Sequence, residues 1–238
     1  MSPFLSYHSV ALVTASSAGL GAATAKALAS SGVRVVVNYF SSPERADSLV
    51  KELEQLDSKK STAEKAKLPR FIAIKADVSQ KSELIRLIDE SVAAMGRLDL
   101  VVSNHGWTRI RNFYDLDENV DESDWDRCFN MNVKSHLFLF HAARKHLEKS
   151  GGSFITVASL AGVKPSGSSV VRGAPCLFRC CFRTVCVDFD QAYSVTKAAQ
   201  IHLVKSLALI AGPIRVNSVS PGVLMTVRIV ASRSYSIY

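Results

Sequence analysis

Val10-Ala11-Leu12-Val13-Thr14 is a short apolar run that leads straight into Ala15-Ser16-Ser17-Ala18-Gly19-Leu20-Gly21, and an alanine-rich stretch from Ala22 to Ser31 follows and closes on Gly32. Strand, glycine-containing turn and helix in that order form a cradle for phosphate, because the first amides of the helix point out of the turn with no partner of their own. Gly21 is the position at which a missing side chain lets helix and strand pack closely. No other stretch narrows the possible folds as much: it asks for a strand and a helix side by side, and for a sheet in which both find cover.

The rest of the chain repeats the unit. Val33 to Tyr39 reads as a second strand and Pro43-Glu44 opens a helix to about Leu56; Asp57 to Pro69 is a polar surface segment. Phe71 to Ile74 is a third strand leading to Asp77-Val78-Ser79, with Ser79 predicted to cap a helix running to Met95. Leu98 to Val102 is a fourth strand, ending at Ser103-Asn104-His105-Gly106. One long helix is expected from about Glu122 to Lys149, then a fifth strand from Gly152 to Val157 that ends at Ala158-Ser159. Gln191 to Ala211 reads as helix and Ile214 to Val219 as a sixth strand before Pro221-Gly222. Strands alternating with helices imply an α/β fold, a Rossmann-type doubly wound parallel sheet with right-handed crossovers. In such a sheet the site lies at the carboxyl ends of the strands, where each polar motif above falls. With 238 residues, 47% of them hydrophobic, the chain suits a single domain with a sizeable core.

Bulk properties exclude several alternatives. The formal net charge is +8, yet the basic residues are scattered among acids with no Lys/Arg run longer than two, so the charge is ordinary surface and no nucleic-acid partner is expected. No apolar run approaches the ~20 residues that span a bilayer, and Met1 to His8 lacks the basic start and apolar stretch of a signal peptide. A cytoplasmic protein with no membrane partner is the expectation. Cys176, Cys180, Cys181 and Cys186 crowd together without a pair of C-x-x-C motifs or added histidines, so no metal is expected.

Tyr193-Ser194-Val195-Thr196-Lys197 carries the chemistry. Residues four apart on a helix share a face, so a phenol and an ammonium reach one ligand, and a fixed cation favours the phenolate of a group that otherwise titrates near ~10.

In this combination the chain resembles a short-chain dehydrogenase/reductase from about Ser9 to Gly222. Thr14 to Gly21 is similar to the family's T-G-x-x-x-G-x-G turn, and Ser103-Asn104-His105-Gly106 to its N-N-A-G. Asn132 falls at its long-helix Asn, Ser159, Tyr193 and Lys197 at its catalytic Ser and Y-x-x-x-K, and Pro221-Gly222 at its P-G turn. The resemblance implies an oxidoreductase moving a hydride between a nicotinamide cofactor and a small-molecule carbonyl or secondary alcohol, and a homodimer or homotetramer. Tyr193 would be the acid in reduction and the base in oxidation. Lys197 would bind the nicotinamide ribose and depress the Tyr193 pKa; Ser159 would hold the substrate oxygen, and Asn132 a water of the proton relay. The cofactor would contact Thr14, Ser16, Ser17, Gly19, Leu20, Gly21, Asn38, Ser41, Arg45, Asp77, Val78, Asn104, Gly106, Tyr193, Lys197, Pro221 and Gly222. An acid at the end of the second strand would repel a 2′-phosphate. Here Asn38-Tyr39-Phe40-Ser41-Ser42 carries no carboxylate and Arg45 lies nearby, which favours NADP(H) over NAD(H).

Three departures stand out. Ala15 replaces the family's first Gly, and if the backbone there needs positive φ its Cβ costs about 1 kcal/mol. His105 replaces a small residue, so its bulk must point away or narrow the pocket. Ser159 and Tyr193 are 34 residues apart where the family has about thirteen, and insertions concentrate in loops. Removing the 21 residues Val171 to Gln191 restores that spacing. Every Val codon begins GT and one Gln codon is CAG, so the segment is compatible with the ends of an intron that keeps frame, and a retained intron is the expectation; the alternative is a genuine loop of this lineage. Val227 to Tyr238 is also atypical, and a seventh strand is expected to be missing. The competing expectation is therefore a catalytically defective, or merely dinucleotide-binding, product of a mis-spliced gene.

Overall fold

Val10–Val13 (β1) is buried along its whole length, and its side chains alternate between two separate cores. Val10 and Leu12 enter one cluster and Ala11 and Val13 the other, as the period of two requires of a strand covered on both faces. Such a strand belongs in the middle of a sheet. In the computed structural model, which describes residues 5–58, 68–164 and 190–222, it is flanked on both sides.

β2 (Arg34–Tyr39) and β4 (Leu100–Ser103) both pair with β1 in parallel, Leu12 standing opposite Val36 on one side and Val101 on the other. β3 (Phe71–Lys75) continues beyond β2, and β5 (Ser153–Val157) and β6 (Arg215–Val219) beyond β4. The order β3-β2-β1-β4-β5-β6 makes the gap between β1 and β4 the topological switch point, the place where such sheets open a crevice at their carboxyl ends. Helices α1 (Gly19–Ser30) and α2 (Pro43–Ser58) cover one face through Ala25, Ala29, Ala46, Leu49 and Leu53. The other face is covered by α3 (Lys81–Met95), α5 (Ser135–Ser150) and α6 (Gln191–Ile210), through Leu84, Leu87, Leu139, Leu147, Val204 and Leu207.

The single-domain parallel fold matches expectation, and two local readings are corrected. Gln80, not Ser79, is the N-cap of α3, and it makes no side-chain cap bond; the Ser79 N–H is itself taken by Asp77 Oδ1 at 2.9 Å, which turns the chain before the helix starts. The long helix is interrupted: α4 (Glu122–Phe129) passes into a π-turn at Asn130–Lys134 before α5 resumes. Such insertions gather at functional sites. Among the described residues there are six strands, and β6 is an edge paired only with β5. Its Val219 is 55% exposed, and Leu209 and Ile210 at the end of α6 are 88% and 68% exposed.

Candidate active site

The turn after β1 is held from both neighbouring strands. From β2, Asn38 Oδ1 accepts the Ala15 N–H at 3.0 Å, and the Asn38 carbonyl accepts the Ser16 N–H at 2.9 Å. From β4, the Asn104 N–H donates to Thr14 Oγ1 at 2.9 Å, while its side-chain amide donates to the Thr14 and Ala15 carbonyls, both at 3.2 Å. Clamped this way, Ala15 sits at φ 48°, the only non-glycine residue with positive φ among those described. A Cβ on Gly21 would meet the Ala15 carbonyl, Asn104 Nδ2 and Ser16 Cα, each at 2.7 Å. α1 then begins at Ala18 with no side-chain cap, and a Cβ on Gly19 would meet nothing within 4 Å. Uncapped amides beside open space are the chemistry a pyrophosphate needs, so the residues fit a dinucleotide.

Not every residue assigned to the cofactor presents a side chain to it. Thr14 and Ser16 are fully buried, with Ser16 Oγ donating to the Val13 carbonyl at 2.7 Å; both shape the turn from behind. Asn38 is 1% exposed, its amide spent on Ala15 and on the Tyr39, Ile74 and Ala76 carbonyls, so it cannot read a 2′-phosphate. Val78 packs into the core beyond Asp77. Ser17, Gly19 and Arg45 instead line one recess of about 390 Å³ between α1 and α2, with Lys26, Ser48 and Glu52. Ser41 is exposed on the turn leading to that recess, and Leu20 is half-buried in the first turn of α1.

Across the switch point, the carboxyl end of β5 meets the first turns of α6. Ser159 is buried, accepts the Ala161 N–H at 3.2 Å, and lies close enough to Tyr193 to favour ionisation of its phenol despite the 34 residues between them. Lys197 Nζ lies 5.6 Å from the Tyr193 ring centroid and donates to the Val157 carbonyl at 3.0 Å and Gln200 Oε1 at 2.9 Å. A Cβ on Gly106 would reach within 3.3 Å of that ammonium, and one on Gly162 would strike the Lys197 backbone at 2.5 Å. The Pro221 carbonyl accepts the Leu160 N–H at 2.9 Å, which brings Pro221-Gly222 beside Ser159.

Electrostatics here run against the simple sequence argument. Burial pushes the Tyr193 phenol up to about 12, opposed by Ser159, and burial brings Lys197 down to about 7. Desolvation is thus the largest influence on the phenol, and it opposes ionisation. Asn132 is held by three side-chain hydrogen bonds. Its Oδ1 accepts the Trp107 N–H at 2.8 Å, and its Nδ2 donates to the Trp107 carbonyl at 2.9 Å and Thr196 Oγ1 at 3.0 Å. That side chain is a clamp between the loop after β4 and α6.

His105 resolves its departure by pointing away from the pocket. It is 3% exposed, bonded at Nδ1 to Thr14 Oγ1 (2.9 Å) and at Nε2 to Ser135 Oγ (2.7 Å). Ser135 donates its own proton to the Met131 carbonyl at 2.6 Å, so His105 must donate from Nε2 and accept at Nδ1. It stacks on His136 at 4.3 Å, and burial drives its pKa down to about 3. Four further residues went unnoticed in the sequence. Gln200 was legible, three residues after Lys197 on one helix face, and so was Asp190, an acid three residues before Tyr193 at a helix start. Asn119 and Gly162 carry no such local signal. The four clustered cysteines lie outside the described residues; Cys128 is buried.

A Rossmann-type sheet with a phosphate cradle on one side of its switch point and a Ser-Tyr-Lys group on the other defines an oxidoreductase that uses a nicotinamide dinucleotide. The short chain dehydrogenase family matches residues 9–174, and a second family, described as enoyl-(acyl carrier protein) reductase, matches residues 180–234. Elsinochrome reductase 1 of Elsinoe fawcettii is 36% identical over 219 residues, 91% of this chain and 68% of that protein. A hydroxynaphthalene reductase-like protein of Metarhizium majus is 33% identical over the same shares. A short chain dehydrogenase of Burkholderia cenocepacia in complex with NADP superposes with TM-score 0.72 at 31% identity, over 92% of this chain and 76% of that one. A 7α-hydroxysteroid dehydrogenase complexed with NADH also gives 0.72, at 25% identity over 94% and 74%. The chain belongs to the short-chain dehydrogenase/reductase family. No helix among the described residues is long and apolar enough to cross a membrane.

Proposed function

We propose that the protein reduces a carbonyl of a small molecule with NADPH, Tyr193 supplying the proton. The observation that carries this reading is the convergence of Ser159, Tyr193 and Lys197 on one face of the β5–α6 junction. With its phenol held up near 12, Tyr193 is a neutral donor at physiological pH, as reduction requires. A bound nicotinamide dinucleotide supplies the hydride. Ser159 and the Tyr193 hydroxyl hold the carbonyl oxygen between them, and as that oxygen gains charge Tyr193 gives up its proton to it. Lys197, anchored by Val157 and Gln200 with its Nζ 5.6 Å from the Tyr193 ring centroid, faces the phenolate left behind. The relatives named as reductases support the same direction.

Preference for the 2′-phosphate form rests on the recess lined by Ser17, Lys26 and Arg45, where Glu52 is already paired with Lys26 at 2.5 Å. Nothing at the end of β2 repels a phosphate, since the Asn38 side chain is turned inward. Phe129, Leu137 and Val195 are 38%, 37% and 45% exposed on neighbouring helices, which supports self-association into a dimer or tetramer. The test is Tyr193→Phe, expected to lower turnover about 10²–10⁴-fold while NADPH affinity stays within a few-fold. In parallel, Arg45→Glu should lose the preference for NADPH over NADH in fluorescence titrations at fixed salt. Near-parental turnover in the first, or unchanged preference in the second, removes the corresponding part of the reading.

A further inference from the structure

The first turn of α6 is fastened to the loop that follows β4 by two consecutive residues. Asp190 is 2% exposed; its Oδ1 accepts the Tyr193 N–H at 2.6 Å, and its Oδ2 accepts the Arg109 N–H at 3.4 Å. The Gln191 N–H donates to Asn119 Oδ1 at 2.8 Å, and its side-chain amide donates to the Phe113 carbonyl at 3.0 Å. Asn119 is itself fixed: its amide donates to the Asn112 and Asp115 carbonyls at 2.8 and 2.6 Å, and its carbonyl accepts Trp125 Nε1 at 2.8 Å. The guanidiniums of this loop do not neutralise Asp190. Arg109 and Arg111 each reach Asp124 at 3.0 Å, with Asp121 behind it at 4.0 and 3.6 Å. A buried carboxylate therefore faces the start of the Tyr193 helix with two backbone amides as its hydrogen-bond donors.

We propose that Asp190 is a positioning residue for the proton transfer: its carboxylate locks the turn that carries Tyr193 against residues 109–119 and sets a buried negative charge at the start of that helix. The inference rests on the acid–base reading of Tyr193. The groups facing the phenol are Ser159 from the end of β5, Cys128 from α4, Asp190 from the helix cap and Lys197 one turn on. Burial is the largest influence and raises the phenol; Ser159 opposes it, and Cys128 and then Asp190 add to it. Asp190 is held above the ordinary carboxylate range by burial, with Asp124 adding to the effect and Arg111, Tyr193 N–H and Arg109 N–H opposing it. The same residues bear on where the suspected insert ends. Asp190 and Gln191 are integrated into the fold, so of the segment 171–191 only residues up to 189 lie outside the described structure. Joining Val170 to Ala192 puts Ser169 three residues before Tyr193, where Asp190 now stands. Serine caps a helix about as well as aspartate but carries no charge.

Three full-length or deleted chains separate charge from capping: Asp190→Asn, Asp190→Ala and Δ171–191. Each is compared with the same chain carrying Tyr193→Phe, so that Tyr193 is read alone among the six tyrosines by difference absorbance of phenolate from pH 8 to 11. Asp190→Asn keeps a cap and loses the charge, and should show more Tyr193 phenolate at pH 10 than the parent; Δ171–191 should show the same rise together with loss of the Gln191 latch to Asn119 and Phe113. Asp190→Ala should show that rise and also melt at lower temperature. With 2-tetralone and 2-tetralol as probes at pH 9, Asp190→Asn should raise the oxidation rate several-fold and lower the reduction rate, KM little changed. Loosening of the fold alone would lower both. Unchanged Tyr193 titration in Asp190→Asn overturns the proposal, whatever happens to turnover. A shifted titration with a fully active Tyr193→Phe overturns the acid–base reading and leaves the effect of Asp190 on the phenol standing.

Discussion

The two halves of the site are built by opposite means. The dinucleotide turn, Thr14 to Gly21, is contiguous in sequence and clamped by Asn38 and Asn104 from the strands adjacent to β1. Its shape comes from the sheet. The half proposed for proton transfer gathers Ser159, Tyr193 and Lys197 from the end of β5 and from α6, and α6 is hydrogen-bonded at its start to a loop, 109–119, that belongs to neither element. One half is as rigid as the strands behind it, and the other is as rigid as its latches.

The sharpest way to break this contrast is to add one methyl group to each half. Gly21→Ala drives a Cβ into the Ala15 carbonyl and the Asn104 amide at 2.7 Å, and Gly162→Ala drives one into the Lys197 backbone at 2.5 Å. Both should destabilise by about 1–3 kcal/mol, read as lower melting temperatures, with Gly162→Ala the more severe because its contacts are all backbone. Their functional losses should differ. Gly21→Ala should weaken NADPH binding with Tyr193 still titrating as in the parent, and Gly162→Ala should lower kcat with affinity close to parental. If both variants lose the same property, the halves are one cooperative unit and the contrast fails.

The contrast also explains what the sequence makes legible. Alternating apolar runs and glycine turns announce the sheet, the helices and the switch point, because those signals are local and periodic. Ser159, Tyr193 and Lys197 are visible through family resemblance, and the structure brings them together. What a motif cannot convey is the direction of a side chain. Asn38, Thr14 and Ser16 sit at the right places in the turn yet face inward, since each must satisfy backbone groups that the turn leaves open. Asn132 is spent on Trp107 and Thr196 for the same reason. The pKa argument for Tyr193 meets an opposing influence, desolvation, that adjacency in a sequence does not convey. Asn119, 72 residues from its partner Gln191, leaves no mark in the sequence at all.

Acid and alkali should strain the two halves separately. Lys197, lowered from 10.5 to about 7, binds fewer protons folded than unfolded between those values, so its contribution makes stability rise with pH across that window and is unfavourable below it. The slope is at most about 1.4 kcal/mol per pH unit. Lys197→Met should flatten urea-midpoint-versus-pH curves between pH 7 and 10. His105, lowered from 6.5 to about 3, has the same sign in an acid window: stability is present above 6.5 and falls as pH drops towards 3. Because its proton pattern ties Thr14 to Ser135, His105→Gln should soften acid unfolding while leaving the alkaline limb as it was. A single residue that flattened both limbs would show that the windows are not separate.

The smallest effect is expected at Ala15, and it sharpens the account of the dinucleotide half. At φ 48° a Cβ crowds the following carbonyl, at a cost of roughly 1 kcal/mol that glycine does not bear. Two clamps hold the residue there, the Asn38 acceptor on its N–H and the Asn104 donor on its carbonyl. Ala15→Gly removes the strain but gives the unfolded chain more freedom, a loss of about 0.4–1 kcal/mol. The two terms nearly cancel, so the melting temperature should rise by no more than a degree or two. NADPH affinity should respond more clearly, increasing a few-fold, because the turn no longer relies on its clamps to keep the cradle in shape. Combining Ala15→Gly with Asn104→Ala makes the point decisive. If the clamps exist to hold a strained alanine, glycine should rescue much of the affinity lost in Asn104→Ala. Additive losses, with no rescue, would mean that Asn104 acts on the dinucleotide half by some route other than restraining Ala15.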